Sequence, residues 1–499
     1  MRAASFLLFC LCIAAASAQA PPSLVGAWDD GFAVNPDGSD APGEYGLTAV
    51  DLQAIAVHPL TGEVVVGGRY IGGRSGLLRW TGAGWDPIDL GADTNDRVLA
   101  LAFGPNGDLF VGGTFTSLRG QTVNHIARWT GSEFVSLGQG VDGHVRSLFY
   151  DTATSSLLVG GVSRGNSFSG GTNADGTTVA SRNVIRWTGS AWEALGGGVA
   201  ADRFSDVDAF EKDPVTGDLI LSGDLFSRML NPDGSTVRVG NVARWDGSAW
   251  SRVGNADFDY NVYDVEYVGG VLYAIHEGLS GALGTLWRLA PGGSWERLAS
   301  FGDDDPLALV EYRGQLVVAG GFDSVLPVGA DGLPVPGIAA YDPATGAWSA
   351  LGGGIVDLND FGVADLAVAG DDLWAGGDFT LAGGRASVNV ARWAGTAPFD
   401  GVYATFRLDA RRAEEAGLVS VYSRRGRYGS NDTPFLAIES GPAAGLYALA
   451  ANAADLADSV LTATVLLPRG QRVRYGFGVD VNTVNDPRRI LRDEDLGTE

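Results

Sequence analysis

The chain has 499 residues, a formal net charge of −25 and a single lysine, Lys212. Its length allows a large core and more than one domain, and its excess of carboxylates argues against binding nucleic acid or anionic lipid. Both cysteines, Cys10 and Cys12, lie in the first twenty residues. Disulfides, thiolate catalysis and cysteine-ligated zinc are therefore excluded from the rest of the chain.

The N-terminus has the features of a secretory signal peptide. Arg2 gives a positive start, residues 6–16 are apolar, and Ala16-Ser17-Ala18 is a small-residue cleavage site. We predict that residues 1–18 are removed and that the mature protein is secreted to the extracellular space, the periplasm or the cell surface. No later apolar run is long enough to cross a bilayer, so no membrane span is predicted.

A motif that begins with Arg-Trp recurs through residues 24–397. Clear copies start at Arg79, Arg128, Arg186 and Arg244, degenerate copies occupy 288–295 and 341–348, and an incomplete copy starts at Arg392. A period of roughly 40–60 residues indicates repeats that bury their apolar faces only against their neighbours.

The clearest repeat, residues 98–141, predicts four short antiparallel strands. Apolar segments at 98–103 and 109–115 flank one turn, and segments at 124–129 and 133–137 flank another. The first two are almost continuously apolar, which is typical of sheets covered on both faces. Four-stranded sheets stacked around an axis form a β-propeller.

Counting the first strands predicts an all-β, seven-bladed propeller over residues 24–397. These strands begin near Leu52, Val98, Val145, Val207, Val262, Leu307 and Val363. Blade 7 lacks a fourth-strand aromatic before Pro398, whereas residues 26–32 are a spare copy of that strand. We therefore predict that an N-terminal strand at 24–34 closes blade 7, and the alternative is the segment 399–406.

The paired glycines Gly320-Gly321 followed by YDPATGAW at 341–348 resemble the kelch pattern. Residues 24–397 as a whole resemble kelch-type and galactose-oxidase-type propellers, and the Arg-Trp variant is similar to fungal cortical polarity-marker propellers. The resemblance implies a fold and gives little guidance on activity, because propellers host many unrelated functions.

Residues that recur at equivalent blade positions are interpreted as structural. The third-strand aromatics are expected to pack between blades: Trp80, Trp129, Trp187, Trp245, Tyr341 and Trp393. The arginine before that position should face the opposite side of the strand, and we expect it to pair with a carboxylate or carbonyl of a neighbouring blade. Asparagines three to five residues before the aromatic position are expected to end a loop by bonding backbone groups.

The loops between blades are acidic, and antiparallel strands place them on one rim. The candidate binding residues of this rim are Asp96, Asp142, Asp202, Asp257, Asp303 and Asp357. We expect the rim to bind a basic partner or a hard cation, for which calcium is the candidate because it prefers oxygen ligands. Asx-Gly turns at 173–176 and 231–234 add oxygens at the same end, although no complete calcium-binding loop is present.

No catalytic motif is found. The four histidines, His58, His125, His144 and His276, fall at different blade positions, which disfavours a shared metal site, and no nucleophile elbow, P-loop or HExxH motif occurs. The copper site of galactose oxidases is excluded, because that site needs a cysteine. Carboxylate pairs suited to glycoside hydrolysis remain open, since a sequence gives no separation between them.

Residues 400–499 differ from the repeats in composition and predict a small β-sandwich. Strands are expected at 402–410, 418–423, 461–467 and 472–479. The stretch 461–479 and the later Asn485 and Arg489 resemble the end of starch-binding and related immunoglobulin-like modules. Such modules stack sugars on tryptophan, and no tryptophan follows Trp393.

The sequence thus predicts a secreted, non-enzymatic binding or adhesion protein that uses its acidic rim. The expected partner is an extracellular protein or a polysaccharide, and we expect the protein to be monomeric. The alternative is a carbohydrate-active enzyme or a glycan-binding accessory protein.

Overall fold

The computed structural model describes part of the chain. The ranges are 24, 26–28, 51–70, 74–80, 85–89, 97–161, 168–200, 205–224, 228–258, 260–278, 283–302, 304–356, 362–387, 389–395, 401–409, 433–438, 445–448, 460–468, 475–480 and 489–491. The proposed signal peptide lies outside these ranges. All regular secondary structure in them is β, so they contain no helix long and apolar enough to cross a membrane.

Strands β1 to β24 cover the N-terminal half. They are β1 (Ala27–Trp28), β2 (Asp51–Val57), β3 (Val64–Tyr70), β4 (Arg74–Trp80), β5 (Trp85–Asp89), β6 (Val98–Phe103), β7 (Leu109–Gly113), β8 (Ser117–Leu118), β9 (Gln121–Thr122), β10 (Ile126–Trp129), β11 (Phe134–Ser136), β12 (Val145–Asp151), β13 (Ser156–Gly161), β14 (Gly170–Thr172), β15 (Thr178–Ala180), β16 (Val184–Trp187), β17 (Trp192–Ala194), β18 (Gly198–Val199), β19 (Asp206–Lys212), β20 (Leu219–Asp224), β21 (Arg228–Leu230), β22 (Thr236–Arg238), β23 (Val242–Trp245) and β24 (Trp250–Arg252).

Strands β25 to β46 follow. They are β25 (Val262–Val268), β26 (Val271–His276), β27 (Thr285–Leu289), β28 (Trp295–Gly302), β29 (Pro306–Tyr312), β30 (Gln315–Gly320), β31 (Ser324–Pro327), β32 (Leu333–Pro334), β33 (Ile338–Asp342), β34 (Ala347–Ala350), β35 (Ile355–Val356), β36 (Gly362–Ala369), β37 (Asp372–Asp378), β38 (Leu381–Ala382), β39 (Arg385–Ala386), β40 (Val390–Ala394), β41 (Gly401–Asp409), β42 (Thr433–Ile438), β43 (Gly445–Ala448), β44 (Val460–Pro468), β45 (Tyr475–Asp480) and β46 (Arg489–Leu491).

Each repeat folds into an antiparallel sheet whose strands pair in chain order. The first six are β2-β3-β4-β5, β6-β7-β10-β11, β12-β13-β16-β17, β19-β20-β23-β24, β25-β26-β27-β28 and β29-β30-β33-β34, and β31 and β32 extend the fifth. The last sheet has the order β36-β37-β40-β1, so its fourth strand comes from the N-terminus. We call these sheets the first to seventh repeats.

The first strands of the repeats, here called the inner strands, form a closed circle. Each of β2, β6, β12, β19, β25, β29 and β36 contacts the next, and β36 contacts β2. Hydrophobic clusters bridge neighbouring sheets; one joins Val65 and Leu77 of the first repeat to Val111 and Phe134 of the second. Sheets that pack face to face around an axis define a β-propeller.

The N-terminal strand β1 closes this circle. Trp28 pairs with Trp393 of β40, and the two indoles meet edge to face at 5.4 Å. The Trp28 Nε1–H donates to the Leu351 carbonyl oxygen of the preceding repeat at 2.8 Å. β1 thus occupies the edge of β40, and β41, which overlaps the alternative closing segment, pairs with β44.

The same indole bond recurs around the circle. The fourth-strand tryptophans Trp192, Trp250 and Trp295 donate to the carbonyl oxygens of Leu137, Leu195 and Val253, at 2.9 to 3.1 Å. In each case the acceptor follows the fourth strand of the preceding repeat. Trp28 therefore occupies the place of a fourth-strand tryptophan, although it lies more than 300 residues away from its acceptor.

The third-strand aromatics mostly lie between sheets. Trp187, Trp245, Tyr341 and Trp393 are each at most 9 % exposed. Most pack against the fourth-strand aromatic of their own repeat, as Trp187 does against Trp192 at 5.1 Å. Trp80 and Trp129 are partly buried in similar pairs with Trp85 and Phe134.

The recurring arginines pair within their own repeat, so the expectation of pairs between blades was wrong. The pairs are Arg79 with Glu63, Arg128 with Asp108, Arg186 with Glu193, Arg244 with Asp213 and Asp218, Arg288 with Glu296, and Arg392 with Asp372. The reason is local: the acid lies on, or in the turn beside, the second or fourth strand, which flanks the third strand that carries the arginine.

The asparagines before the third strands have the structural role expected of them. Asn183 and Asn241 have φ angles of 56° and 70°, a left-handed conformation that asparagine tolerates better than most residues. The Asn183 side-chain amide donates to the Ser205 carbonyl oxygen at 2.6 Å, and Asn241 donates to Tyr260 at 2.7 Å. Each asparagine thus fixes the segment that leads into the next repeat.

The region after residue 400 has two described sheets. Strand β41 pairs antiparallel with β44, and a second sheet has the order β43-β42-β45-β46. Three of the four strands predicted there coincide with β41, β44 and β45, whereas 418–423 lies outside the described residues.

Candidate functional site: the inner strands

Two of the six predicted rim aspartates lie in the described part of the chain, and both have partners within the protein. Asp142 accepts hydrogen bonds from the backbone N–H groups of Ser169 and Gly170 at 2.7 and 3.0 Å. Asp257 forms ion pairs with Arg238 and Arg252 at 2.8 and 2.9 Å. The remaining four fall outside the described residues: Asp96, Asp202, Asp303 and Asp357.

The Asx-Gly turns are the tips of hairpins that brace the sheets. The Oδ1 atoms of Asn173 and Asn231 accept from the backbone N–H groups of Trp192 and Trp250, at 2.7 and 2.6 Å. Asp175 accepts from its neighbour Thr177. These oxygens are therefore committed to the protein, and no group of three acids or histidines suited to a metal occurs among the described residues.

Two of the histidines lie together, contrary to their separation in the repeat pattern. The imidazoles of His125 and His144 meet at 5.1 Å where the second and third repeats adjoin. His58 instead packs on Phe103, and His276 on Phe258. The pair alone is too small a set for a zinc site, which needs three or four protein ligands.

A β-bulge occurs at the same place in every inner strand. The residue left out of the pairing is Gln53, Leu99, Arg146, Asp208, Tyr263, Leu307 or Ala364. Bulges re-aim a side chain and are frequent beside functional sites. Because the bulges lie near the start of each strand, these seven residues are close to the rim that carries the loops between repeats.

Charged bulge residues meet between the third and fourth repeats. The Arg146 Nε–H donates to Asp208 Oδ1 at 2.8 Å, and their side chains are 32 % and 4 % exposed. Burial raises the pKa of Asp208, and Arg146 opposes that shift. Burial lowers the pKa of Arg146, but the charge of Asp208, with a smaller contribution from Asp206, outweighs burial and raises it.

The residue after the bulge joins neighbouring inner strands. Asp264 Oδ2 accepts from the Leu309 backbone N–H at 2.7 Å, and Asp365 Oδ2 accepts from Ile55 at 2.9 Å. Ser147 makes the corresponding bond by donating to the Val207 carbonyl oxygen at 2.6 Å. These side chains therefore connect the third repeat to the fourth, the fifth to the sixth and the seventh to the first.

Burial of these acids raises their pKa values. Desolvation raises the pKa of Asp264 to about 8 and that of Asp365 to about 7, against the effect of the backbone donors. Burial, with repulsion from Glu211 and Asp264, raises the pKa of Glu266 to about 9. Near neutral pH the inner strands thus hold protons that the same groups release in water.

Sequence reasoning missed these inner-strand acids. They lie in the segments SDVDAFEK, VYDVEYV and VADLAVA, where a charged residue interrupts an otherwise apolar first strand. That interruption was the available signal, because a strand covered on both faces rarely carries an unpaired charge.

A Glu266→Gln variant should alter the pH dependence of stability. Because the folded pKa of about 9 exceeds the ordinary value of 4.5, Glu266 stabilises the fold most below pH 4.5, and this contribution is lost as the pH rises to 9. Glutamine is neutral throughout. As the pH rises from 5 to 9, the free energy of unfolding of the variant should increase by at least ~2 kcal/mol relative to that of the wild type. Urea unfolding at each pH measures the difference.

The exposed Glu133→Gln substitution is the matched control and should leave the wild-type pH profile unchanged. Parallel stability curves for Glu266→Gln and the wild type would contradict a buried, protonated Glu266.

Fold and site together define a β-propeller whose inner strands carry an excess of acids. No known family profile matches the chain, and no curated protein sequence matches it. Solved propellers are similar at low identity. The WD40 propeller of Doa1 is 12 % identical, with a TM-score of 0.39, and the match covers 70 % of this chain and 96 % of that one.

Two further structures have comparable similarity. YCF48 bound to the D1 peptide is 12 % identical, with a TM-score of 0.42, covering 76 % of this chain and all of the other. Virginiamycin B lyase from Staphylococcus aureus is 9 % identical, with a TM-score of 0.41, covering 69 % and 94 %.

Proposed function

We propose that the protein is a secreted, non-enzymatic binding protein, a seven-bladed β-propeller that takes basic side chains of a partner among its inner strands. The blade number is supported by the seven described sheets that share one strand order. In this proposal the kelch-like repeat forms the propeller, and residues 400–499 form an immunoglobulin-like sandwich.

The observation that carries the proposal is the charge balance of the inner strands. The acids with described side chains are Asp151, Asp206, Asp208, Glu211, Asp264, Glu266, Glu311 and Asp365, and the cations are Arg146 and Lys212. Arg146 is paired with Asp208, and Lys212 with Asp151 at 2.9 Å. Acids thus outnumber cations eight to two among these side chains, and this excess suits a cationic ligand.

The acidic rim has a smaller part in this proposal than in the prediction from sequence. Asp142 and Asp257 have internal partners, and Asp305, near the same rim, accepts a hydrogen bond from the Gly278 backbone N–H at 3.0 Å. Burial and its acidic neighbours nevertheless raise the pKa of Asp305 to about 6. In this proposal a partner enters at the hairpin end of the inner strands, where Glu311 belongs to the next-to-last pair of β29, and places arginine or lysine side chains near Glu266 and Glu311. Because Glu266 holds a proton near neutral pH, a cation placed beside it would favour its ionised form, and binding would release that proton.

Fluorescence anisotropy with labelled peptides tests the proposal. A peptide rich in arginine and lysine should bind the mature protein, and its glutamate-rich counterpart should not. The double variant Glu266→Gln/Glu311→Gln should weaken binding at least tenfold, whereas the exposed pair Glu133→Gln/Asp331→Asn replaces the same number of carboxyl groups with amides and should have little effect.

If both double variants weakened binding equally, net charge alone would account for the interaction, and this result would contradict an inner-strand site. The alternative, a carbohydrate-active enzyme, predicts that soluble products are released from a polysaccharide incubated with the protein.

A further inference from the structure

A cavity of about 290 Å³ opens between the second and third repeats. Gly104 and Asp108 of the β6–β7 hairpin, Arg128 of β10, and Tyr150 and Trp187 of the third repeat line it. Its volume is close to the lower limit for small-molecule sites, about 300 Å³. The cavity is on the hairpin side of the sheets, away from the rim discussed above.

The corresponding place between the fourth and fifth repeats is filled by a carboxylate. Asp213 begins the β19–β20 hairpin, and its Oδ2 accepts from Arg244 Nη2 and, at 3.2 Å, from the Tyr267 hydroxyl. The Arg244 Nε also pairs with Asp218 at 3.0 Å. An arginine, a tyrosine and two acids thus form a closed network.

The hairpins of the second and fourth repeats are equivalent. Gly104 and Asp213 each follow the last residue of the inner strand and precede a proline. The Gly104 N–H donates to Asp108 at 2.8 Å, as the Asp213 N–H donates to Asp218 at 2.9 Å. Gly104 therefore stands where the fourth repeat has Asp213.

The arginines and tyrosines are also equivalent in register. Arg128 pairs with Phe110, and Arg244 with Ile220, in each case at the second residue of the second strand. Tyr150 and Tyr267 both belong to the next-to-last pair of the following inner strand. The cavity is thus the fourth-repeat network without its central carboxylate.

The groups around the cavity have bonding capacity to spare. Arg128 meets Asp108 at 3.5 Å, and the arginine side chain is 40 % exposed. For the Tyr150 hydroxyl there is no hydrogen-bond partner among the residues that the structure describes. A guanidinium that forms a single long ion pair has N–H donors left for a second carboxylate.

We propose that this cavity binds the carboxylate of a small organic acid, up to the size of a uronic acid. Arg128 and the Tyr150 hydroxyl would hold the carboxylate as Arg244 and Tyr267 hold Asp213. The polar side chains of Asn106, Ser136 and Ser155 also line the cavity. They could form hydrogen bonds with hydroxyl groups on the rest of the ligand. This site is independent of the proposed basic partner.

Isothermal titration of the mature protein with acetate and with D-glucuronate tests the proposal, with acetamide and D-glucose as neutral controls. At least one carboxylate should bind saturably and its neutral analogue should not. Stronger binding of glucuronate than of acetate would show that the cavity also recognises the hydroxyl groups of the ligand. Equal binding would show that it recognises the carboxylate alone.

Gly104→Asp is the decisive variant, because it supplies the missing carboxylate from the chain. The backbone of Gly104 is outside the left-handed region, and a Cβ there would meet Phe110 and Tyr150 at 3.4 Å, an ordinary contact. We expect this variant and Arg128→Gln to bind at least tenfold more weakly, and the Arg79→Gln control to bind as the wild type.

Three results would overturn the proposal. They are no binding of either carboxylate by the folded wild type, equal binding of the neutral analogues, and undiminished binding by Gly104→Asp. A melting temperature for Gly104→Asp at or above that of the wild type shows that loss of binding is not loss of fold.

Discussion

Replacing Trp28 by alanine is expected to lower the free energy of unfolding by about 3–5 kcal/mol, the usual cost of removing a buried tryptophan side chain. Trp28 is 4 % exposed, packs on Trp393 and bonds the Leu351 carbonyl oxygen. Its loss also loosens the strand that completes the last sheet, which exposes the β40 edge. Urea unfolding of the mature protein measures the change.

Two further variants separate the contributions. Trp28→Phe keeps an aromatic side chain and removes the indole N–H, so we expect a loss of about 1 kcal/mol from the bond to Leu351 in addition to a smaller packing loss. Leu60→Ala, at a side chain that is 72 % exposed, should change stability little. An unchanged unfolding midpoint for Trp28→Ala would show that β1 does not close the circle in solution.

Replacing Arg146 by methionine is the second large effect. The substitution leaves Asp208, whose side chain is 4 % exposed, without its cation, and breaking a buried pair in this way costs about 3–5 kcal/mol. Without Arg146 the pKa of Asp208 should rise further above its ordinary value. The difference in free energy of unfolding between the wild type and the variant should therefore increase as the pH rises from acidic to neutral.

The double variant Arg146→Met/Asp208→Leu is the informative control. It removes both charges and should recover most of the stability, because apolar residues of similar volume often replace a buried ion pair without loss. Arg288→Met breaks a surface pair whose side chains are 43 % and 47 % exposed, and should cost at most ~1 kcal/mol. A deficit for Arg146→Met that does not change with pH would argue against an ionised, buried Asp208.

Much of the architecture follows from the repeat itself. The Arg-Trp motif marks the third strand, and the aromatic five to seven residues later marks the fourth, so the strand order within a sheet could be read from one repeat. The spare GAW copy at 26–28 likewise predicted the N-terminal strand that pairs with β40. Local chemistry sufficed for the order within a sheet, since pairing within a hairpin is decided by residues close in sequence. The pairing of β1 with β40 is not local, and it was predicted from the strand copy that the last repeat lacks.

The candidate site could not be found in the same way. The sequence directed attention to aspartates in loops, and the described ones, Asp142 and Asp257, proved to hold hairpins and arginines of the protein itself. The acids with altered chemistry, such as Asp264 and Glu266, lie within strands. Their role depends on the neighbouring inner strand, which belongs to a different repeat.

By itself the sequence determined the β-strand content, the period of the repeat and the absence of cysteine chemistry after residue 12. Only the tertiary structure decided which carboxyl groups are buried, which arginine stands beside them, and where Gly104 leaves a cavity that Asp213 fills elsewhere. The physical reason is that a pKa shift or a cavity arises from atoms of adjacent sheets, some 40–60 residues apart, and the desolvation that creates it exists only once those sheets are packed together.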